Sequence, residues 1–136
     1  MKLRITDPAE ILVDCEIRSL RAEDATGSFG ILDGHADFLT VLEVAVVSWC
    51  DAAGRAGYCA VRSGILTVSG GSEVAIATRE GHVGDELDSL ESTVLARYRR
   101  QREAELAERV SSAKLRMQAI RRMVEVLRGG PKEIGL

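Results

Sequence analysis

Apolar and polar positions alternate in short runs through the first two thirds of the chain. Leu3 and Ile5 alternate with Lys2, Arg4 and Thr6; Val13, Cys15 and Ile17 alternate with Asp14, Glu16 and Arg18. AVVSWC (45–50), YCAVRSGILTVSG (58–70) and EVAIATREGHV (73–83) follow. A two-residue period belongs to strands with one buried face, and Gly, Asp and Ser separate the runs. The pattern predicts an all-β N-terminal sandwich or barrel over residues 1–84. Gly70-Gly71 reads as a tight hairpin turn, and Pro8 sits beside the first strand, where it costs no central ladder bond.

The grammar changes after Gly84. No Gly or Pro occurs from Asp85 to Leu127, and Ala, Leu, Glu, Arg and Met dominate. Leu87, Leu90, Val94 and Tyr98 follow helical spacing. The stripe lapses through RRQREAE (99–105) and resumes at Leu106, Val110, Ala113, Met117, Ile120, Val124 and Leu127. The lapse predicts a C-terminal α-helical hairpin over 85–136, with a turn between Arg100 and Ser112. Ser111-Ser112 is a candidate cap for the second helix, and Gly129-Gly130-Pro131 its expected end. The fold class is therefore β followed by α, in two parts.

Composition narrows the function classes. The 136 residues are 46% hydrophobic, enough for a core, but only 4% aromatic, and the net charge is −3. That balance argues against nucleic acid as a partner. No apolar stretch reaches the length of a membrane span, and the N-terminus lacks a signal-peptide pattern, so a cytosolic protein without membrane insertion is expected. Cys15, Cys50 and Cys59 are widely spaced and form no CxxC, which points to buried thiols. The helical half is strongly basic between Arg97 and Arg128. That face either keeps the helix solvated or docks on an acidic partner.

Residues 27–42, GSFGILDGHADFLTVL, combine glycines with large apolar side chains and a histidine. Such a stretch reads as a glycine-hinged loop with a purpose beyond solvation. Catalytic patterns are absent: no HExxH, no GxSxG, no phosphate-binding glycine loop. Neither His35 nor His82 has a partner at metal-ligand spacing, and no cofactor is expected. Trp49 lies in an alternating run and is expected in the core or an interface. The residues favour a binding or mechanical module over an enzyme.

The G-x-F-G-I-L-x-G-H loop, the strand VRSGILTV (61–68) and the order of sandwich then helices resemble the epsilon subunit of the F-type ATP synthase. The resemblance covers nearly the whole chain. It implies a non-catalytic central-stalk subunit coupling ATP synthesis or hydrolysis to ion translocation, peripheral on the cytoplasmic side of the bacterial inner membrane. It implies contacts of Ser28, Phe29, Gly30, Ile31, Leu32, Asp33, Gly34 and His35 with the gamma subunit and the c-ring loops. The apolar side chains there either meet the partner or brace the loop from beneath. The C-terminal helices are expected to reach the alpha/beta catalytic head and inhibit ATP hydrolysis, with Arg116, Arg121 and Arg122 as the regulatory basic residues.

Departures accompany the resemblance. Asp33 and Asp37 stand where the family often has proline. Leu87 and Asp88 match the family's nucleotide motif, but Glu91 and Ser92 replace its arginine and alanine. Carboxylate in place of guanidinium repels phosphate, so ATP binding by this chain is not expected. The other reading of the same residues is a free-standing cytosolic β-sandwich adaptor with a basic, protein-binding helical tail.

Overall fold

The computed structural model describes the backbone of residues 1–134 and the side chains of residues 1–128. Six strands run in chain order: β1 (Lys2–Thr6), β2 (Ile11–Asp24), β3 (Gly27–Leu32), β4 (Phe38–Asp51), β5 (Ala56–Ser69) and β6 (Glu73–Gly84). A short helical turn α1 (Leu87–Ser89), a π-helical turn (Leu90–Leu95) and a long helix α2 (Ala96–Ile134) follow. The β-then-α order expected from the two periodicities is present. The chain divides into two compact units, Met1–Arg99 and Arg100–Leu136.

The sheet order is β1-β6-β5-β4-β2-β3, and β1 also pairs with β2. The first half of β2 pairs with β1, while its second half pairs with β4 and β3. That double use closes the sheet on itself, and the sandwich is one curled sheet rather than two separate ones.

The curl has a visible origin. In β5, Cys59 and Val61 point inward, but so do Leu66 and Val68 further on, and odd and even positions have exchanged faces. In β4, Leu42 points inward and then Ala45, Val47 and Trp49 do. Both changes fall in one row of the sheet, between the pairs Leu42↔Gly64 and Val44↔Arg62. Ser63 sits in that row with φ 55°, a left-handed conformation that a non-glycine residue adopts at a cost of about 1–2 kcal/mol. Each long strand thus lines both layers of one core, which contains Leu3, Ile5, Ile31, Leu66, Val74 and Ile76.

Beyond the row, the outer face of β4 and β5 shows Val44, Val46, Tyr58 and Ala60. Leu90, Val94 and Tyr98 cover them in a second apolar cluster. Leu90 and Leu95 are both buried although five residues apart. An α-helix would turn such a pair well away from each other at about 100° per residue. The π-helical turn, which closes its hydrogen bonds one residue later, lets both be buried. An ion pair adds to this packing: Arg62, nearly buried, donates to Glu80 at 3.1 and 3.2 Å, and Arg97 reaches the other Glu80 oxygen at 3.6 Å.

Two sequence expectations change. The turn between Arg100 and Ser112 is absent, and α2 runs without a break, with Ser111 and Ser112 inside it. The polar run 99–105 lapses because it is exposed, and it contains strong helix formers that need no turn. Gly129-Gly130-Pro131 does not end the helix either; the backbone stays helical to Ile134. Glycine takes helical angles freely, and one missing proline N–H so near the end forfeits a single bond. The compact unit that holds the sheet extends past Gly84 to Arg99, because Leu90, Val94 and Tyr98 pack on β4 and β5.

Tyr98→Ala is expected to destabilise the 1–99 unit by about 3–5 kcal/mol, the usual range for emptying a buried aromatic site. A 1–99 fragment should melt cooperatively and at higher temperature than a 1–84 fragment. Urea unfolding and thermal circular dichroism measure both.

Candidate functional site

The signature stretch does not form one loop. Gly27–Leu32 is strand β3, antiparallel to β2, and only residues 33–37 connect it to β4. Its two-residue period was obscured because two of the positions are glycine. Ser28, Gly30 and Leu32 are exposed, Phe29 is half-buried, and Ile31 is fully buried in the core. Ile31 therefore braces the strand and is not available to a partner. The Phe29 and Phe38 rings meet edge-on at 5.5 Å, and His35 meets Phe38 at 5.7 Å.

The 33–37 connection is tied to the β5–β6 turn. Gly70 and Gly71 hold φ 62° and 72°, the left-handed pair of a tight hairpin. The Gly34 N–H donates to the Gly71 carbonyl at 2.7 Å, and the Gly70 N–H donates to Asp37 Oδ1 at 3.1 Å. A Cβ on Gly71 would lie 3.2 Å from the Gly34 Cα, so the two backbones need the missing side chain. Asp37 thus supplies a tether where the family often has a rigid proline. Asp33 is exposed, and the His35 Nδ1 lies 2.7 Å from the Ala36 carbonyl oxygen. Among the described residues, no group of His, Cys, Asp and Glu is placed to hold a metal ion.

At the base of β3, Asp24 gathers three hydrogen bonds. The Thr26 hydroxyl and N–H donate to Oδ1 at 2.5 and 2.8 Å, and the Thr40 hydroxyl donates to Oδ2 at 2.6 Å. These donors, the Thr26 hydroxyl foremost, hold the Asp24 carboxyl below its usual range. Burial pushes the Cys59 thiol up to about 11, so it is inert at neutral pH. Burial likewise raises Tyr98, with Glu80 adding to the shift and Arg97 opposing it. The Arg97 N–H groups do not reach hydrogen-bond geometry with the Tyr98 hydroxyl, which is buried without a partner among the described residues.

An apolar surface escaped the sequence reading. Before the parity change, the outer face of β4 and β5 carries Leu39, Val41 and Ile65, which are 66, 53 and 47% exposed. Val41 pairs with Ile65 and Leu39 with Thr67, and the exposed Ala75 and Ala77 continue the face into β6. The signal was present in the Leu39-x-Val41 alternation. It could not be assigned to the outer face without knowing that the strand changes parity beyond Leu42.

Within the second unit, α2 carries Leu106, Val110, Ala113, Met117, Ile120, Val124 and Leu127 at alternating steps of four and three. All are exposed. This is a coiled-coil seam of about three heptads. Arg116 and Arg121 flank it, as do Arg109, Lys114 and Arg128. Arg122 falls on the far side of the helix. Leu87 and Asp88 lie at α1, whereas Glu91 and Ser92 lie in the π-helical turn; the Ser92 hydroxyl is used on the Asp88 carbonyl at 2.7 Å.

The Asp24 arrangement gives a signed pH dependence. A carboxyl with a depressed folded pKa stabilises above its unfolded pKa and loses that contribution as pH falls through the folded value. The stability deficit of Thr40→Val should therefore be present at neutral pH and shrink toward acid, read from urea midpoints across the carboxylate range. Thiol labelling of the native chain should modify Cys15 and Cys50 before Cys59, and Cys59 should react only on unfolding.

The comparisons with known proteins agree with this architecture. Residues 1–83 match the family model for the β-sandwich domain of the ATP synthase delta/epsilon chain. The chain is 43% identical over 129 residues to an ATP synthase epsilon chain 2 of Paraburkholderia xenovorans, covering 94% of this chain and 93% of that one. It is 36% identical over 132 residues to an ATP synthase epsilon chain 2 of Cereibacter sphaeroides, covering 96% and 90%. Among solved structures, a chain of the Euglena gracilis mitochondrial ATP synthase superposes with a TM-score of 0.56 at 21% identity, covering 65% of this chain and 56% of that chain. A chain of the Tetrahymena thermophila central stalk and c-ring gives 0.52 at 14% identity, covering 60% and 65%. The structural likenesses attest the fold, and the sequence matches give the membership: this chain belongs to the ATP synthase delta/epsilon family.

Proposed function

We infer that this chain is a non-catalytic subunit of the central stalk of an ATP synthase rotor. Epsilon-chain relatives matching almost end to end support the reading. The single structural observation that carries it is the bare apolar face of Leu39, Val41 and Ile65, beside a tethered 33–37 connection. A contiguous apolar patch on a folded unit marks a protein interface. The gamma subunit is the proposed partner for that face and for the edge of β3, and the c-ring loops for Asp33, Gly34 and His35 in the 33–37 connection. No helix among the described residues is long and apolar enough to cross a membrane. Attachment to the cytoplasmic side of the bacterial inner membrane then comes through the ring.

The second unit is assigned a regulatory part. The α2 seam is exposed and its flanks at Arg109, Lys114, Arg116 and Arg121 are basic. Two copies of such a helix repel one another, so a homodimer is disfavoured and an acidic helical surface of the catalytic head is the complement. Seated there, the helix obstructs rotation in the hydrolysis direction. The adaptor reading would use the same seam, but it gives no reason for the end-to-end likeness to epsilon chains.

Val41→Asp should leave the melting temperature within about 2 °C, because the position is exposed, and reduce binding to the gamma subunit at least about tenfold in a pull-down titration. Retained binding would sink the assignment of this face. Arg116→Glu combined with Arg121→Glu should relieve inhibition of ATP hydrolysis by the reconstituted head, whereas Arg122→Glu alone should leave the rate unchanged. Equal rates for wild type and a chain ending at Arg99 would show that α2 does not inhibit.

A further inference from the structure

β3 is the edge strand of the sheet and pairs with β2 alone. Asp24 and Gly27 close its hairpin as directly opposed partners across two loop residues. Bonded pairs alternate along an antiparallel ladder, so the N–H and C=O groups of Ser28, Gly30 and Leu32 turn away from β2. One contact agrees with this: the Leu32 carbonyl accepts from the His35 N–H at 3.1 Å rather than from β2. Natural edges are guarded by lysine, proline, a bulge or an inward charge. β3 has no charged residue and no proline, and its register with β2 is unbroken.

A groove of about 540 Å³ begins at the same strand, lined by Gly30, Leu32, Arg21, Ser48, Tyr58 and Leu87. Gly30 lies directly opposite Arg21 in the β2–β3 register. A Cβ on Gly30 would meet nothing closer than the Leu20 carbonyl at 3.8 Å. No side chain of β3 therefore stands between the open edge and Arg21. Arg21 is exposed and has no ion pair among the described residues. Leu32, 64% exposed, forms the apolar rim beside this gap.

We propose that β3 is lengthened by strand addition. An extended segment of the gamma subunit pairs with Ser28, Gly30 and Leu32, sends an acidic side chain over Gly30 to Arg21, and rests an apolar one against Leu32. Main-chain bonds supply the affinity, and the Gly30 gap with its cation selects the segment. The proposal rests on the central-stalk reading and adds the mode and chemistry of the contact.

The test is amide hydrogen exchange on the chain alone and on the chain reconstituted with the gamma subunit and c-ring of its own complex. The Ser28, Gly30 and Leu32 amides should slow by at least about tenfold on assembly. Gly30→Val, whose Cβ makes only ordinary contact, and Arg21→Glu, on an exposed side chain, should each weaken assembly at least about tenfold without moving the melting temperature. Should Gly30→Val melt lower, Arg21→Glu carries the side-chain test alone. Assembly with unchanged exchange at the three amides, or full-strength assembly of Arg21→Glu, overturns strand addition and leaves the stalk reading standing. A folded wild-type chain that joins neither gamma nor the ring overturns the stalk reading instead.

Discussion

One row of the sheet governs the molecule. At Ser63 the backbone takes φ 55°, and across the row the inward positions of β4 and β5 change parity. A strand that kept its parity would place Val61 and Leu66 on opposite faces, and one of the two would leave the core. The shift lets each strand of 14 residues bury apolar side chains in both layers. Left-handed backbone at a serine is unfavourable, and it persists because Val61, Leu66 and Val68 are all buried on its account.

The same row divides the outer face into two parts with different fates. On one side Val44, Val46, Tyr58 and Ala60 are sealed by Leu90, Val94 and Tyr98. On the other side Leu39, Val41 and Ile65 stay in solvent. Arg62 and Glu80 sit next to the dividing row, and Arg97 joins them. A charged group this close to apolar packing is held by its partners, since an unpaired charge there would be expensive. The bare patch begins where the cover of Leu90, Val94 and Tyr98 stops.

The sequence revealed the strands more readily than the surfaces between them. Alternation at Leu3 and Ile5 was legible because β1 buries one face throughout, and at Val13 and Ile17 because the first half of β2 does so before its parity changes at the register shift between Ile17 and Ser19. Gly27–Leu32 was not, because glycine at two of six positions removes the hydropathy contrast on which periodicity depends. The missing hairpin turn has a similar cause. RRQREAE breaks the apolar stripe without breaking the helix, since an exposed helix needs no apolar face to remain helical. Burial of both Leu90 and Leu95 was hidden by a π-helical turn that no 3.6-residue template contains. The loop motif falls at the end of the sandwich where Asp37 accepts a hydrogen bond from the Gly70 N–H. The Leu39, Val41 and Ile65 face required three-dimensional register, and single-strand patterns do not carry it.

The seam of α2 has a geometric consequence of its own. The helix has 39 residues and is about 58 Å long at 1.5 Å per residue. Its apolar positions recur every 3.5 residues on average, slightly less than one helical turn. A straight rod would let that line slip sideways by about 20° in each heptad. From Leu106 to Leu127 the contact line drifts by roughly 60°. A flat, straight neighbour would touch only part of it. The surface that meets the whole seam must wind around it with a left-handed sense, and handedness alone discriminates among otherwise similar surfaces.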